Sequence, residues 1–331
     1  SLHQSRERGL EVKIAVLGAG IFGCVSALKL RDKFPTAKIS IFEKNTSILS
    51  AASGCNQFRL HRGFHYPRSN ETVEQVLSSV LEFENEFKNC ICDIGFERYY
   101  AISKMGSKVQ PNQYIQFLDD NKLEYDICTD RTLPLVYDNL DLVVKVKENG
   151  LDIANLYLEL TKRLRLADIN VKTNTKFTEN HLKGFDLVIN ATYANINSIL
   201  PESEHQEFQF ELCEKPIVSV GQEFRHKSIV VMDGEFCCID PLGESKYFHV
   251  LGHVKEAIHD VQIGKLYHVP YYLKDLLNKG SVKTELSKFK LILDATKQFF
   301  KYESDPVIPV SSKGSSKLIE NVHSLNRTSW N

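Results

Sequence analysis

One stretch, Val12 to Lys44, restricts the possible folds more than any other. Val12-Lys13-Ile14-Ala15-Val16-Leu17 is an apolar, β-branched run of strand length. Gly18-Ala19-Gly20-Ile21-Phe22-Gly23 follows without a break. Cys24 to Leu30 is then rich in helix formers, with apolar residues at helical spacing. A second short run, Ile39-Ser40-Ile41-Phe42, ends at Glu43. Strand, glycine turn, helix, strand and acid, in that order, make a βαβ unit around a G-x-G-x-x-G turn. That is the context in which the motif holds an adenine dinucleotide.

Each residue type there has a physical job. Gly18 allows the tight turn out of the strand, Gly20 lets the backbone approach a pyrophosphate, and Gly23 lets the helix lie close to the sheet. The helix N-terminus at Ile21 and Phe22 offers unpaired N–H groups and a positive dipole end to phosphate oxygens. Glu43, 20 residues after Gly23, can accept hydrogen bonds from both hydroxyls of an adenosine ribose. Its charge repels a 2′-phosphate, which disfavours NADP. Lys44 stands beside it.

At 331 residues the chain can bury a large core, and two domains are expected. The net charge of −1 gives no bulk attraction to nucleic acid or to a membrane surface, so neither is expected as a partner. No apolar run approaches the roughly 20 residues of a membrane span. The polar start, Ser1 to Gly9, reads as a tail. None of the eight cysteines forms a C-x-x-C pair, so neither a zinc site nor a dithiol motif is expected. A reduced, cytoplasmic protein fits this usage best.

Beyond Glu43 comes a segment rich in small residues that includes Ala52, Ser53 and Asn56. The character then changes at Phe58-Arg59-Leu60-His61-Arg62-Gly63-Phe64-His65-Tyr66-Pro67-Arg68, where arginines and histidines interleave with apolar residues. Thr72 to Cys92 reads as an amphipathic helix with a core face of Val73, Val76, Leu77, Val80, Leu81, Phe87 and Ile91. Strands are expected at Phe96–Ser103, Leu142–Val146, Ile169–Thr173 and Phe185–Thr192, and a short helix at Pro111–Asn121. Asn149-Gly150 marks a turn, and Asp152 can cap a helix from Ile153 to Leu166. Further strands are expected at 208–212, 216–220, 228–232, 234–239 and 247–253, without long helices between them, which points to an antiparallel sheet. A helix is expected over Ser287–Tyr302, and Val307-Ile308-Pro309-Val310 is strand-like.

From Ser53 to Tyr66 the chain resembles a family. A dinucleotide fingerprint, a small-residue segment and then an Arg/His-rich segment resemble the FAD-dependent oxidoreductases of the D-amino acid oxidase-like superfamily, which includes glycine and sarcosine oxidases. Three later stretches continue the resemblance, over about residues 12 to 300. Glu148 to Leu166 resembles the return to the FAD domain. Phe185 to Thr192 resembles a strand that normally ends in Ala-Thr-Gly or Ala-Ala-Gly. Val231–Gly234 through His249–His253 resembles substrate-domain strands.

The resemblance implies an α/β fold: a Rossmann-like FAD-binding domain of the glutathione-reductase type with a second, mostly antiparallel-sheet substrate domain. Residues 10–93 and 148–204 would form the FAD-binding domain, and 94–147 and 205–303 the substrate domain. Residues 304–331 would return toward the FAD domain, apparently incomplete. FAD is the implied cofactor. Its candidate contacts are Gly18, Gly20, Ile21, Phe22, Gly23, Glu43, Lys44, Ala52, Ser53, Asn56, Ala191 and Thr192.

The implied reaction is oxidation of a C–N bond in a small-molecule amine or amino acid, the amino-sugar-related class included. Hydride passes to the flavin, and an acceptor such as oxygen reoxidises it. By position Arg59 and Arg62 carry over as active-site cations suited to a substrate carboxylate, with His61 or His65 as base and Tyr66 beside them. Arg62, Tyr66, His249 and His253 are the candidate substrate contacts. His249 and His253, four apart on an expected strand, share a face. They can line a pocket, or simply sit on a half-buried sheet. With no third ligand at suitable spacing, no metal is expected.

Three rival readings stand beside this one. The 58–68 segment can be a solvated turn whose charges pair with Glu71, Glu74 or Glu82. The same fold can serve an NAD-dependent dehydrogenase, or a non-catalytic dinucleotide-binding or assembly subunit. Two departures from the family pattern feed the last reading. Asn190-Ala191-Thr192-Tyr193 lacks the usual glycine, so an altered backbone approach to the cofactor is expected there. No glycine-rich strand–helix element follows Asp305 to close over the flavin.

Overall fold

The computed structural model describes residues 11–92, 95–278 and 286–307, and the backbone of 312–319. The opening stretch folds as β1 (Lys13–Leu17), α1 (Ile21–Lys33) and β2 (Lys38–Phe42). Together with β9 (Asn170–Lys172) and β10 (Leu187–Asn190) it makes a four-stranded parallel sheet in the order β10-β1-β2-β9. Helix α1 buries Gly23, Cys24 and Ala27, all small, so its backbone lies close to β1. Helix α4 (Ile153–Leu166) buries Leu156, Leu160 and Leu164 in the same core. Its start is fixed by Asp152, whose Oδ1 accepts from the N–H groups of Ala154 and Asn155 at 2.9 and 3.0 Å.

A second, nine-stranded mixed sheet holds β5 (Glu97–Ser103), β6 (Tyr125–Ile127), β7 (Leu140–Val146), β11 (Phe208–Ser219), β12 (Lys227–Met232), β13 (Cys237–Pro241), β14 (Phe248–His253), β15 (Ile258–Gly264) and β16 (Ser312–Ile319). All its pairings are antiparallel except β5 with β12. Alternation gives it two apolar faces. One packs Tyr99, Ile229, Ile239 and Leu251 against Ile292 and Leu293 of a helix, Phe289–Thr296. The other packs Tyr100, Val144, Val230 and Cys238 against Phe64, Val73 and Tyr114. The second face looks toward the Arg/His segment.

A small antiparallel sheet joins the two layers: β3 (Arg59–Leu60), β8 (Asn149–Leu151) and β4 (Ile91–Cys92), in the order β3-β8-β4. This corrects the turn expected at Asn149-Gly150. Gly150 is in a strand, and the reason for a glycine is close approach: a Cβ there would lie 2.5 Å from Arg98 Nη2.

Other boundaries move for local reasons. Helix α2 spans Asn70–Glu86 rather than 72–92, because Ser69 accepts from the N–H of Thr72 and the chain leaves the helix at Phe87 to enter β4. Its buried stripe is Val73 and Val80, continued by Phe87, while Leu77 and Leu81 face solvent, 36% and 58% exposed. Helix α3 (Pro111–Asp120) lies close to its expected bounds. The strands expected at 208–212 and 216–220 are one strand, β11, with a register shift at Leu212/Cys213. Strand β15 carries no clear sequence signal. The helix expected over 287–302 occupies only Phe289–Thr296. Val307 makes a single bridge to Ser219, and Ile308 to Val310 lie outside the described residues. Among the described residues no helix is long and apolar enough to cross a membrane.

Candidate active site

The first half of the site is built from backbone. Gly18 has φ +90°, and a Cβ on it would meet the Ala191 carbonyl oxygen at 2.7 Å. A Cβ on Gly23 would fall 1.9 Å from the Gly18 carbonyl oxygen. Only glycine fits these two places. Gly20 caps α1 without a side chain, the first turn carries no acid, and the N–H of Ile21 donates to Ser53 Oγ at 3.1 Å. A hydroxyl therefore stands at the positive end of the helix, where an anion is favoured. Phe22 lies in the same turn with its ring in solvent.

Glu43 is buried beside this turn. Its Oε2 accepts from the N–H of Ala19 and its Oε1 from the N–H of Asn45, both at 2.8 Å. The carboxylate is thus oriented, and each oxygen keeps a lone pair for a hydroxyl. Lys44 is exposed. Asn56 donates to the carbonyls of Ala52 and Ser53 and accepts from the N–H of Phe58 at 2.6 Å. It braces Phe58, which has φ 54°, a strained value for a bulky residue.

Ala191 donates its N–H to Leu17 at 2.9 Å, and Thr192 Oγ1 donates to Asn190 Oδ1 at 2.6 Å. Tyr193 then takes φ 52°. Tyr193 adopts a left-handed conformation, at a cost of about 1–2 kcal/mol.

The second half is built from charge. Arg59 has a side chain only 2% exposed. Its Nε and Nη2 donate to Glu148 Oε2 at 2.9 and 2.5 Å, and its Nη1 donates to Asp240 Oδ1 at 3.0 Å and to Ser228 Oγ. Its guanidinium lies 4.7 Å from the centre of the Tyr100 ring. Burial alone would lower the Arg59 pKa, but Glu148, Tyr100 and Asp240 outweigh it and hold the cation firmly charged. Arg59 is thereby corrected from substrate cation to buried anchor, since its donors are committed to protein acceptors.

Glu148 is the hub. Besides Arg59 it accepts from Tyr100 Oη at 3.0 Å and the N–H of Arg62 at 3.1 Å, and His61 Nδ1 lies 3.4 Å from its Oε1. Burial would raise this carboxyl, yet Arg59 and His61 pull it well below the usual carboxylate range. Arg98, also buried, donates through Nη2 to the Cys92 carbonyl at 3.1 Å. Its pKa is lowered by burial and by the neighbouring Arg59.

Arg62 pairs with Glu84, which also accepts from Asn149 Nδ2 at 2.9 Å, and Arg68 makes a two-pronged contact with Asp233 at 2.7 and 2.9 Å. The partners expected for a solvated turn, Glu71, Glu74 and Glu82, are not the ones used. His65 and Tyr66 complete the cluster, with ring centres 5.1 and 5.6 Å from that of His61. The Tyr66 hydroxyl is pushed up to about 12 by burial and by Glu148, so it stays protonated.

His249 and His253 do share a face, but it is the far one. Their strand partners are Val218, Pro241 and Cys237, and Leu251 between them packs into the core with Ile292. His249 is buried, its Nε2 lies 3.2 Å from the Lys227 carbonyl, and burial drops its pKa to about 4. His253 Nδ1 accepts from the N–H groups of Lys255 and Glu256 at 3.3 and 3.1 Å, capping a turn. Both are thereby corrected from substrate contacts to packing residues. Strand alternation says which residues share a face, not which face looks at the site.

The near face at that strand carries Gly252, where a Cβ would lie 3.1 Å from Gln57 Nε2 and 3.9 Å from Lys215 Nζ. Gln57 Nε2 is buried without an acceptor. Sequence reading missed Glu148, Asp240, Ser228, Arg98 and Gln57. An acid at 148, where the chain crosses from one sheet to the small joining sheet, is the one available signal. Among the described residues, no cluster of three or more His, Cys, Asp or Glu can hold a metal ion.

Comparisons with known proteins place this geometry. No family model matches the chain. The "FAD-dependent monooxygenase kojA" of Aspergillus flavus is 25% identical over 258 residues, 70% of this chain and 58% of that protein, so the chain spans little more than half of this relative. Glycine oxidase from Geobacillus kaustophilus superimposes with a TM-score of 0.65 at 12% identity, covering 93% of this chain and 83% of that one. The L-α-glycerophosphate oxidase of Mycoplasma pneumoniae, solved with FAD bound, gives 0.66 at 13% identity, over 94% and 84%. With its parallel glycine-turn sheet, its mixed second sheet and these neighbours, the chain has the fold of the D-amino acid oxidase-like FAD-dependent oxidoreductases.

Proposed function

We infer that the chain binds FAD and uses it to oxidise a small amine or amino acid at a C–N bond. The observation that carries this reading is the oriented pair at the glycine turn: a side-chain-free helix N-terminus with Ser53 beside it, and a buried Glu43 held by two backbone N–H groups. A pyrophosphate fits the first and a ribose the second. Gln57 Nε2, buried without an acceptor where it packs against Gly252, fits the polar edge of a flavin. In this reading residues 10–93 and 148–204 hold the cofactor, and residues 94–147 and 205–303 supply the substrate face. The eight cysteines, none in a C-x-x-C pair, suit a reduced, cytoplasmic setting.

The bound flavin would supply the two-electron acceptor. The chain's own residues do the rest. The glycine turn and Glu43 bind and orient the adenine half. The Glu148–Arg59–Asp240 network fixes the 58–68 segment against the second sheet. His61, His65, Arg62 and Tyr66 are the polar groups that this segment presents for substrate. Arg62 is the remaining candidate for a carboxylate, with its side chain 31% exposed.

A second reading has one observation in its favour: the curated relatives are described as monooxygenases. That chemistry would place an atom of oxygen in the product. The test is anaerobic addition of amino acids and amines to the purified chain, followed by air. Bleaching of the flavin bands by an amine, then peroxide release without incorporation of labelled oxygen, is expected. Labelled oxygen in the product would favour the second reading. A flavin that no amine bleaches would contradict the first.

A further inference from the structure

We propose that Glu148 is a positioning residue for His61: its Oε1 holds the Nδ1–H of the imidazole, so that the bare Nε2 is presented as a base. The carboxylate is completely buried and fixed from several directions, by Arg59, by the hydroxyl of Tyr100 at 3.0 Å and by the N–H of Arg62 at 3.1 Å. His61 Nδ1 is buried and has no hydrogen-bond partner at normal geometry, and the nearest charged atom to it is Glu148 Oε1 at 3.4 Å, within one small rotation of the ring. An ionised carboxylate only accepts hydrogen bonds. A lone pair at Nδ1 would therefore face negative charge, whereas a proton there is favoured. A neutral imidazole has one N–H, so placing it at Nδ1 leaves the lone pair on Nε2.

The side chain of His61 is 31% exposed. Because Nδ1 is buried, the exposed edge is the one that carries Nε2. His61 is thus the outward-facing end of an otherwise buried network. The other charged and titratable groups around it are Arg59 and Tyr100 behind Glu148, Arg62 next in the chain, and His65 and Tyr66 against its ring. The two buried cations, Arg59 and Arg98, offset the two buried anions, Glu148 and Asp240, so Glu148 stays ionised without a net charge accumulating in the interior.

The step this arrangement supports is a single proton transfer. Nε2 takes a proton from the ammonium group of a substrate amine. One N–H bond breaks, the Nε2–H bond forms, and the electron pair stays on the substrate nitrogen. The imidazolium that results is stabilised by Glu148, as the acid of a catalytic triad stabilises its histidine. A free amine is the form from which hydride can leave carbon. This step rests on the oxidoreductase reading, while the tautomer does not.

The test is the nitrogen spectrum of the intact chain labelled with 15N-histidine, with His61→Gln used to assign the signal. The expected result is the Nδ1–H tautomer with an unprotonated Nε2. An Nε2–H tautomer would overturn the proposal. In Glu148→Gln the preference for Nδ1–H is expected to be lost, and an unchanged tautomer would also overturn it. Should that variant not fold, the wild-type spectrum decides alone. The visible spectrum of the same sample separates the two claims. A colourless chain with Nδ1–H keeps the pair and loses the flavin reading, and a yellow chain with Nε2–H does the reverse.

Discussion

The glycine turn and the Arg/His segment sit in the same protein and are held by opposite means. The turn uses backbone donors, one oriented carboxylate and the absence of side chains. The segment uses a buried cation, two buried anions and a ring of hydroxyls. The turn's side-chain hydrogen bonds lie within a few dozen residues, Ala19 to Glu43 and Ile21 to Ser53. The segment's contacts join residues 89, 169 and 181 positions apart. A cofactor half made of short-range backbone geometry tolerates almost no added atoms. A network of buried charge tolerates almost no lost ones.

The sharpest way to break the comparison is to remove the hub. Glu148→Ala leaves Arg59 buried with one carboxylate, and a loss of about 3–5 kcal/mol in urea unfolding is expected. A loss under about 1 kcal/mol would show that the network is not holding the segment.

Acid separates the far sheet face from the near one. His249 has its folded pKa lowered from 6.5 to about 4, so the unfolded chain binds the extra proton first. Its contribution is complete above about pH 6.5 and is lost as pH falls toward 4, by up to about 3 kcal/mol. Glu148 is also depressed, from an ordinary value of 4.5, so its contribution is complete above that value and is lost progressively as pH falls below it. His249→Gln is expected to flatten the unfolding free energy between pH 6.5 and 4 and leave the more acidic limb alone. An unchanged upper limb would contradict the burial of a neutral His249.

Gly18→Ala tests the turn. A Cβ would sit at φ +90° and 2.7 Å from Ala191, at a cost of about 1–3 kcal/mol. Loss of FAD binding is expected to exceed the loss of stability. An alanine variant that still binds FAD at wild-type strength would break the assignment. The smallest effect is expected at Tyr193, a bulky residue that holds φ 52°. Tyr193→Gly should raise the unfolding free energy by up to about 1 kcal/mol. A clear loss would show that the Tyr193 side chain contributes more than its backbone costs.

The same contrast explains what the sequence made legible. The βαβ unit could be read because its signals are local: glycines at fixed spacing, alternating strands and an acid at the right distance. Helix α4 could be read because Asp152 caps it. The role of Arg59 could not, because nothing near it in sequence names Glu148 or Asp240. The face carrying His249 and His253 could not be assigned, because alternation leaves open which side of a sheet meets the site. Gly150 looked like a turn because a glycine that admits Arg98 and one that bends the chain are the same letter.

The most direct measurement is flavin content. The purified chain, saturated with FAD and desalted, is denatured in acid, and the released flavin is counted against protein. One FAD per chain, with a raised melting temperature before denaturation, is the expected result. No retained flavin and no thermal shift with FAD, together with a shift on adding NADH, would contradict the assignment of this site.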